Sequence, residues 1–263
     1  MNGFLRALRA ERLKLRRSLT GWAVLLGGLF VPAIMLAVRL HQPARTSAMR
    51  ASGSYWRQHW LESFESIAVL ILPLLLVLVT TLVTHLEHRN NTWKQLHASP
   101  LPLATIYGAK LAMLLLVLTG VFAVVNGGLL LAGWIPLRWI AGGAGRAEAL
   151  PVRTLLHWNG RFFLDCLPVV GIQMALALRF RNVLVPLGAG VGTWIVALVV
   201  MNSRYVAAVP HGYVAVDYLI VAGHRAATSL IGPPPLLALG AFLASAAVGF
   251  SAYAWNADRG AAS

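Results

Sequence analysis

The chain has 263 residues and a formal net charge of +14, with 58% hydrophobic and only 11% charged positions. A soluble domain of this length carries charge at roughly a quarter of its positions, so a mean hydropathy of +0.71 excludes that class and favours a polytopic membrane protein. Five or six spans of roughly 20 residues nearly exhaust the length and leave no room for a soluble catalytic domain.

In a soluble protein the excess of 22 Lys and Arg over 8 Asp and Glu would suggest nucleic acid. Beside apolar runs, basic residues anchor and orient spans, so no nucleic-acid partner is expected and membrane lipids are. The single cysteine, Cys166, excludes an internal disulfide. The charged start precedes an apolar run too long for a signal core, and no small-residue cleavage motif follows, which predicts an uncleaved first span.

Residues 1–20 read as an amphipathic helix. Phe4, Leu8 and Leu15 fall near one stripe, while Arg6, Arg9, Arg12, Lys14, Arg16 and Arg17 crowd the rest around Glu11. Such a helix lies in the headgroup region; a simple stop-translocation cluster is the alternative, and both place the N-terminus in the cytoplasm. Span 1 is expected over Gly21–Val38, followed by a polar outer segment, 39–63, whose last part reads as a helix on the outer face. Span 2 is expected over Phe64–Thr84.

Residues 85–110 then form a polar island between uncharged runs, and its first part, 85–103 (HLEHRNNTWKQLHASPLPL), reads as the loop. Proline disfavours helix just before it and tolerates a helix's first turn. Pro100 therefore ends one short amphipathic helix, and Pro102 leads into span 3, expected over Ala104–Trp134. An outer loop, 135–157, contains the glycine-rich run 141–145, which lacks the strand and the Lys-Ser/Thr of a phosphate loop. Span 4 is expected over Trp158–Leu178, where Arg161 and Asp165, four apart at its outer end, are expected to neutralise one another. A tight turn at 179–182 leads to span 5, Val183–Asn202, in which Gly188 and Gly192 offer a smooth packing face. The 203–235 segment has an apolar middle too short to cross and reads as an outer re-entrant hairpin before span 6, Leu236–Trp255.

The reading is thus an all-α polytopic protein, a single transmembrane domain over 1–263 with six spans and both termini cytoplasmic. Twelve of the 22 basic residues then fall inside, including Lys14, Lys94 and Lys110, as the positive-inside bias requires.

No catalytic constellation emerges. Gly108-Ala109-Lys110 lacks the spacing of an ATP-binding loop, and His85, Glu87 and His88 lack further ligands for a metal site. No metal and no cofactor is expected. The polar residues within spans, Thr80, Thr81, Asn126 and Gln173, are neutral and read as interhelical hydrogen-bonding residues more readily than as substrate ligands along a pathway. The membrane part offers a pathway without an energy source, unlike a secondary transporter with mid-membrane ionisable groups.

Three stretches together resemble one family. They are Glu11-Arg12-Leu13-Lys14-Leu15-Arg16 leading into span 1, the 87–96 loop followed by Ser99-Pro100 and Lys110, and the hairpin before the last span. Over nearly the full length the chain is similar to permease subunits of ABC-2 type transporters, and in size and loop wording to those conferring immunity to lantibiotics and related peptides. The resemblance implies a second permease subunit, identical or sister, and a cytoplasmic ABC ATPase that hydrolyses ATP, so the chain itself is not an enzyme. It also implies export across a bacterial cytoplasmic membrane of a peptide, drug or other amphipathic molecule. The 87–100 helix would seat on the ATPase, with Trp93 and Leu96 as anchor, Glu87, Arg89 and Lys94 as charged rim, and Pro100 as its stop. An integral membrane enzyme, or a scaffold or sensor without an ATPase, is the alternative reading.

Overall fold

The computed structural model describes residues 3–16, 18–89, 101–139, 149–224 and 234–261, with backbone alone for 87–89 and 256–261. Every regular element among them is helical. Helix α1 (Gly3–Leu15) precedes α2 (Thr20–His41) and the short α3 (Pro43–Ala51). Next come α4 (Tyr55–Ser66), one π-helical turn (Ile67–Ile71) and α5 (Leu72–Arg89), which follow one another without a break. Helices α6 (Leu103–Trp139), α7 (Val152–Arg179) and α8 (Leu184–Val200) follow. Two 3-10 turns, Arg204–Ala208 and Pro210–Gly212, lead into α9 (Tyr213–Val221), and α10 (Pro234–Ala261) is the last element.

Five helical stretches are long and apolar enough to cross a membrane: Thr20–His41, Tyr55–Leu86, Leu103–Trp139, Val152–Arg179 and Pro234–Trp255. Helix α8 is apolar but has 17 residues, about 25 Å at 1.5 Å per residue, against a hydrocarbon core of about 30 Å. In the most apolar 18 residues of the second and fourth stretches, 67% are buried, against 22% in α2 and 17% in α10. The α4–α5 rod and α7 therefore form the interior, with α2, α8 and α10 outside. Exposed Leu26, Phe30, Val199, Leu243 and Val248 cover the outer helices with the apolar surface that a bilayer or another span accepts.

Helix α7 packs on α10 and α5, and α6 packs on α2 and α1. Gly28 lies against Val124 and Gly128 against Pro32, so α2 and α6 run parallel. Phe64, Ile67, Leu72, Leu118, Val121, Phe162, Val170 and Met174 centre the core.

The π-turn has a local cause. Pro73 has no N–H for the Val69 carbonyl four residues earlier, and its ring crowds that carbonyl. The helix widens just before it, with Leu72 N–H bonded to Ile67 O, and the Trp194 indole of α8 donates to Val69 O at 2.9 Å. A side chain from another helix replaces the backbone donor that proline removed.

Several boundaries differ from those read from periodicity. The outer aromatic segment does not stand apart from span 2: Tyr55–Ser66 is its upper part. Trp60 and Phe64 stack on Phe162 of α7, with centroids 5.7 and 4.8 Å apart, and Trp60 also meets Trp158. Tertiary packing carries the helix outward past its apolar core. At the other end it runs through His85 to Arg89, so Glu87 and Arg89 belong by backbone to the last turn of α5. Span 3 continues through Pro136 to Trp139, and span 4 begins at Val152. The glycine-rich run 141–145 lies outside the described residues, as does 225–233 of the expected hairpin.

Candidate functional site: polar clusters through the bundle

Glu11 is the first acid in the chain, and the next is Glu62. Although α1 is otherwise strongly basic, Glu11 is turned inward and is 5% exposed. Its Oε1 accepts from Lys14 Nζ at 2.6 Å and its Oε2 from Lys110 Nζ at 3.2 Å. Lys110 is 1% exposed and lies two turns into α6, whose start is set by Pro102: its carbonyl accepts from Thr105 and Ile106. A buried charge persists only with a partner, so this triad pins α1 to the helix that emerges from the 85–103 loop. Arg12 and Arg16 remain on the exposed side of α1. Of the residues expected to meet an ATPase, Trp93, Lys94, Leu96 and Pro100 lie outside the described residues, and Glu87 and Arg89 are placed by backbone only.

Toward the C-terminal ends of α5 and α7, Gln173 of α7 is fully buried. Its Nε2 donates to Thr81 Oγ1 of α5 at 2.8 Å and to Pro186 O of α8 at 2.7 Å. Asn126 of α6 donates to Asn159 Oδ1 of α7 at 2.8 Å. Both polar residues tie helices together. The glycine face of α8 is rotated from expectation: Gly188 and Gly192 have open space beside them, while Gly190 lies against Val77 and Gln173. A Cβ at Gly190 would come within 2.5 Å of Val77 Cγ1, so the close approach of α8 to α5 depends on that glycine.

Nearer the α4 end, the expected Arg161–Asp165 pair is not formed. Arg161 instead makes a two-pronged ion pair with Asp217 of α9, Nη2 to Oδ1 and Nε to Oδ2, the latter at 3.0 Å. The guanidinium fork matches a carboxylate on a facing element better than one on its own helix. Asp165 is fully buried one turn further in, and neither of its carboxyl oxygens has a hydrogen-bond partner among the described residues. Tyr218 of α9 donates to Leu61 O at 2.9 Å, so α9 joins α4 and α7. Residues 213–218 are buried throughout.

A second outer cluster joins α2, α3 and α4. Buried Arg39 gives Nη2 to Glu62 at 2.6 Å, and Arg45 donates to the other oxygen at 2.9 Å. Arg39 Nε points at His59 Nδ1, while His59 Nε2 meets Leu129 O at 3.0 Å; the network requires the tautomer protonated at Nε2. Tyr55 donates to Gly133 O at 2.8 Å. Sequence reasoning missed these partners. The available signal was an Arg or Asp set in an apolar run, which must find an opposite charge somewhere.

His211, just before α9, is 1% exposed with neither ring nitrogen hydrogen-bonded among the described residues. Burial pushes its pKa down from 6.5 to about 4. Since the folded value lies below the unfolded one, the neutral ring's contribution is complete above about pH 6.5 and drains away as pH falls toward 4, about 3 kcal/mol in all. Thermal unfolding in neutral detergent should therefore weaken between pH 7 and 5, and H211Q should lose that part of the slope.

Among the described residues, no group of three His, Cys, Asp or Glu is placed to hold a metal ion. Each cluster ties together two or more helices. The model of the ABC-2 family transporter proteins matches residues 7–201, from α1 through the end of α8. No curated protein and no solved structure matches the chain.

Proposed function

The chain belongs to the ABC-2 transporter family and is a permease component of an ABC transporter; we propose that it forms the export pathway for a peptide, drug or other amphipathic molecule, driven by a separate cytoplasmic ATPase. The observation that carries the coupling part of this reading is the Glu11–Lys110 pair. It ties α1 to α6, the helix that leaves the 85–103 loop, so a push on that loop moves both elements together.

In the proposed arrangement the chain is one transmembrane domain with both termini in the cytoplasm of a bacterium. Helix α8 is the fifth of six spans, and 203–235 caps the outer side. A second permease subunit, identical or sister, packs against the exposed apolar outer helices. ATP hydrolysis stays in the partner, whose groove takes the 87–100 segment. Immunity to an antimicrobial peptide is the proposed physiological role.

A pull-down of the tagged protein from mild detergent, assayed for bound ATPase, tests the reading. Trp93→Ala should weaken capture by about 30-fold, the effect of removing an aromatic anchor worth about 2 kcal/mol, and Glu87→Arg should weaken it through the charged rim. Stability of the spans should not change. Normal capture and transport in both variants, or a chain that purifies without an ATPase, would overturn the coupling assignment.

A further inference from the structure

Two carboxyl groups and one guanidinium meet where α7 faces α9. Asp165 and Asp217 are both 0% exposed, and Arg161 is paired with Asp217. The carboxyl of Asp165 faces that of Asp217, yet neither Asp165 oxygen receives a hydrogen bond among the described residues. We propose that Asp165 and Asp217 share one proton, which makes this cluster a buried proton-binding site joining α9 to α7.

The charges require it. Arg161 offsets one carboxylate, and its Nη2 and Nε are both spent on Asp217. A second buried carboxylate persists only with a partner of its own. Two facing carboxylates repel, and they cannot hydrogen-bond because each only accepts. One proton removes both difficulties, since the O–H of a carboxylic acid donates to the carboxylate opposite. The cluster then holds one guanidinium, one carboxylate and one carboxylic acid, and its charge sums to zero.

The neighbouring donors are engaged elsewhere. Tyr213 donates to Ala207 O at 2.6 Å and Tyr218 to Leu61 O at 2.9 Å. His211, just before α9, bonds through neither ring nitrogen. Cys166, beside Asp165, is a buried thiol, a weak donor at best. Of the acids of α4, Glu62 is held by Arg39 and Arg45, and Glu65 is exposed. His59 and Tyr55 turn toward α6, and His157, outward of Arg161 on α7, is exposed. The π-turn, α8, and residues 72–84, 118–133 and 234–250 of α5, α6 and α10 contain no titratable side chain. A divalent cation in this place would take about six oxygen ligands, and among the described residues no group of three His, Cys, Asp or Glu is placed to hold a metal.

Infrared spectroscopy of the full chain in detergent tests the site. At neutral pH the parent should show the carbonyl stretch of a buried carboxylic acid, shifted in D2O, and raising the pH should remove it. D165N should lose that band and keep its fold, because the Asn amide donates to Asp217 as the acid O–H did. A proton held by the folded chain stabilises it where it is bound, and that contribution is lost as the pH rises. The parent's thermal unfolding midpoint should therefore fall over the pH range in which the band disappears, and D165N should show no such fall. A parent without the band at neutral pH overturns the site, and this outcome needs no variant to fold. A band that persists in D165N, or that added sodium ions remove at constant pH, overturns it as well. The inference is independent of ATPase coupling, on which the pull-down reports.

Discussion

Replacing Arg161 with leucine lowers the stability of the protein by about 3 kcal/mol, because it strands the fully buried Asp217, although Arg161 itself is part exposed. The guanidinium holds Asp217 by two prongs, and Asp217 and Asp165 are both fully buried. Without Arg161, two carboxyl groups remain where the structure supplies one described cation. The double variant R161L/D217L should regain most of the loss, because an apolar pair of similar volume replaces a buried ion pair at little cost. Chemical denaturation in detergent micelles measures both. Protease sensitivity around 203–224 should rise in R161L, since Asp217 is the ionic tie between α9 and α7. An R161L variant as stable as the parent would show that α9 is held by its apolar packing alone.

Glu11→Leu is expected to cost about 3 kcal/mol and to loosen α1 from α6. Glu11 and Lys110 are both buried, and Lys14 shares the carboxylate. E11L/K110M should be more stable than E11L alone, because it removes one of the two lysines that shared the deleted carboxylate. A double-mutant cycle on thermal unfolding gives the coupling energy directly; a value near zero would show that the two residues are neighbours and no more. If α1 transmits the ATPase stroke, E11L/K110M should also hydrolyse ATP without matching transport even though its fold is restored.

The apolar runs made the membrane class and most spans legible, because a stretch without charge has few alternatives in water. Helix α5 reaches Arg89, inside the expected 85–103 loop, and α6 starts at Leu103; residues 90–100 between them lie outside the described ones. What the sequence left open was which distant groups meet. Arg161 had an acid four residues away, and local spacing favoured that partner; the Asp217 carboxylate wins because α9 folds back onto α7. Gly188 and Gly192 looked like the packing face, yet the phase of α8 turns Gly190 inward. The continuity of Tyr55–Arg89 was concealed by polar residues that stack in the interior through their rings, as His59 and Tyr55 do. The family match, which stops at residue 201, leaves α9 and α10 to be argued from their packing.

Pro73 was in plain view, and its effect reaches further than a bend. A π-turn holds one residue more than the α-helix on either side of it, so the ring carrying Trp60 and Phe64 is offset in azimuth from the ring carrying Leu75 and Leu76. The helix is thus a shaft in two parts, and the coupling between them is clamped by an indole from a neighbouring rod. That clamp is a hydrogen bond of 2.9 Å. Without the indole the Val69 carbonyl would stand among apolar side chains. The two parts of the shaft therefore meet at a carbonyl that Trp194 of α8 keeps satisfied.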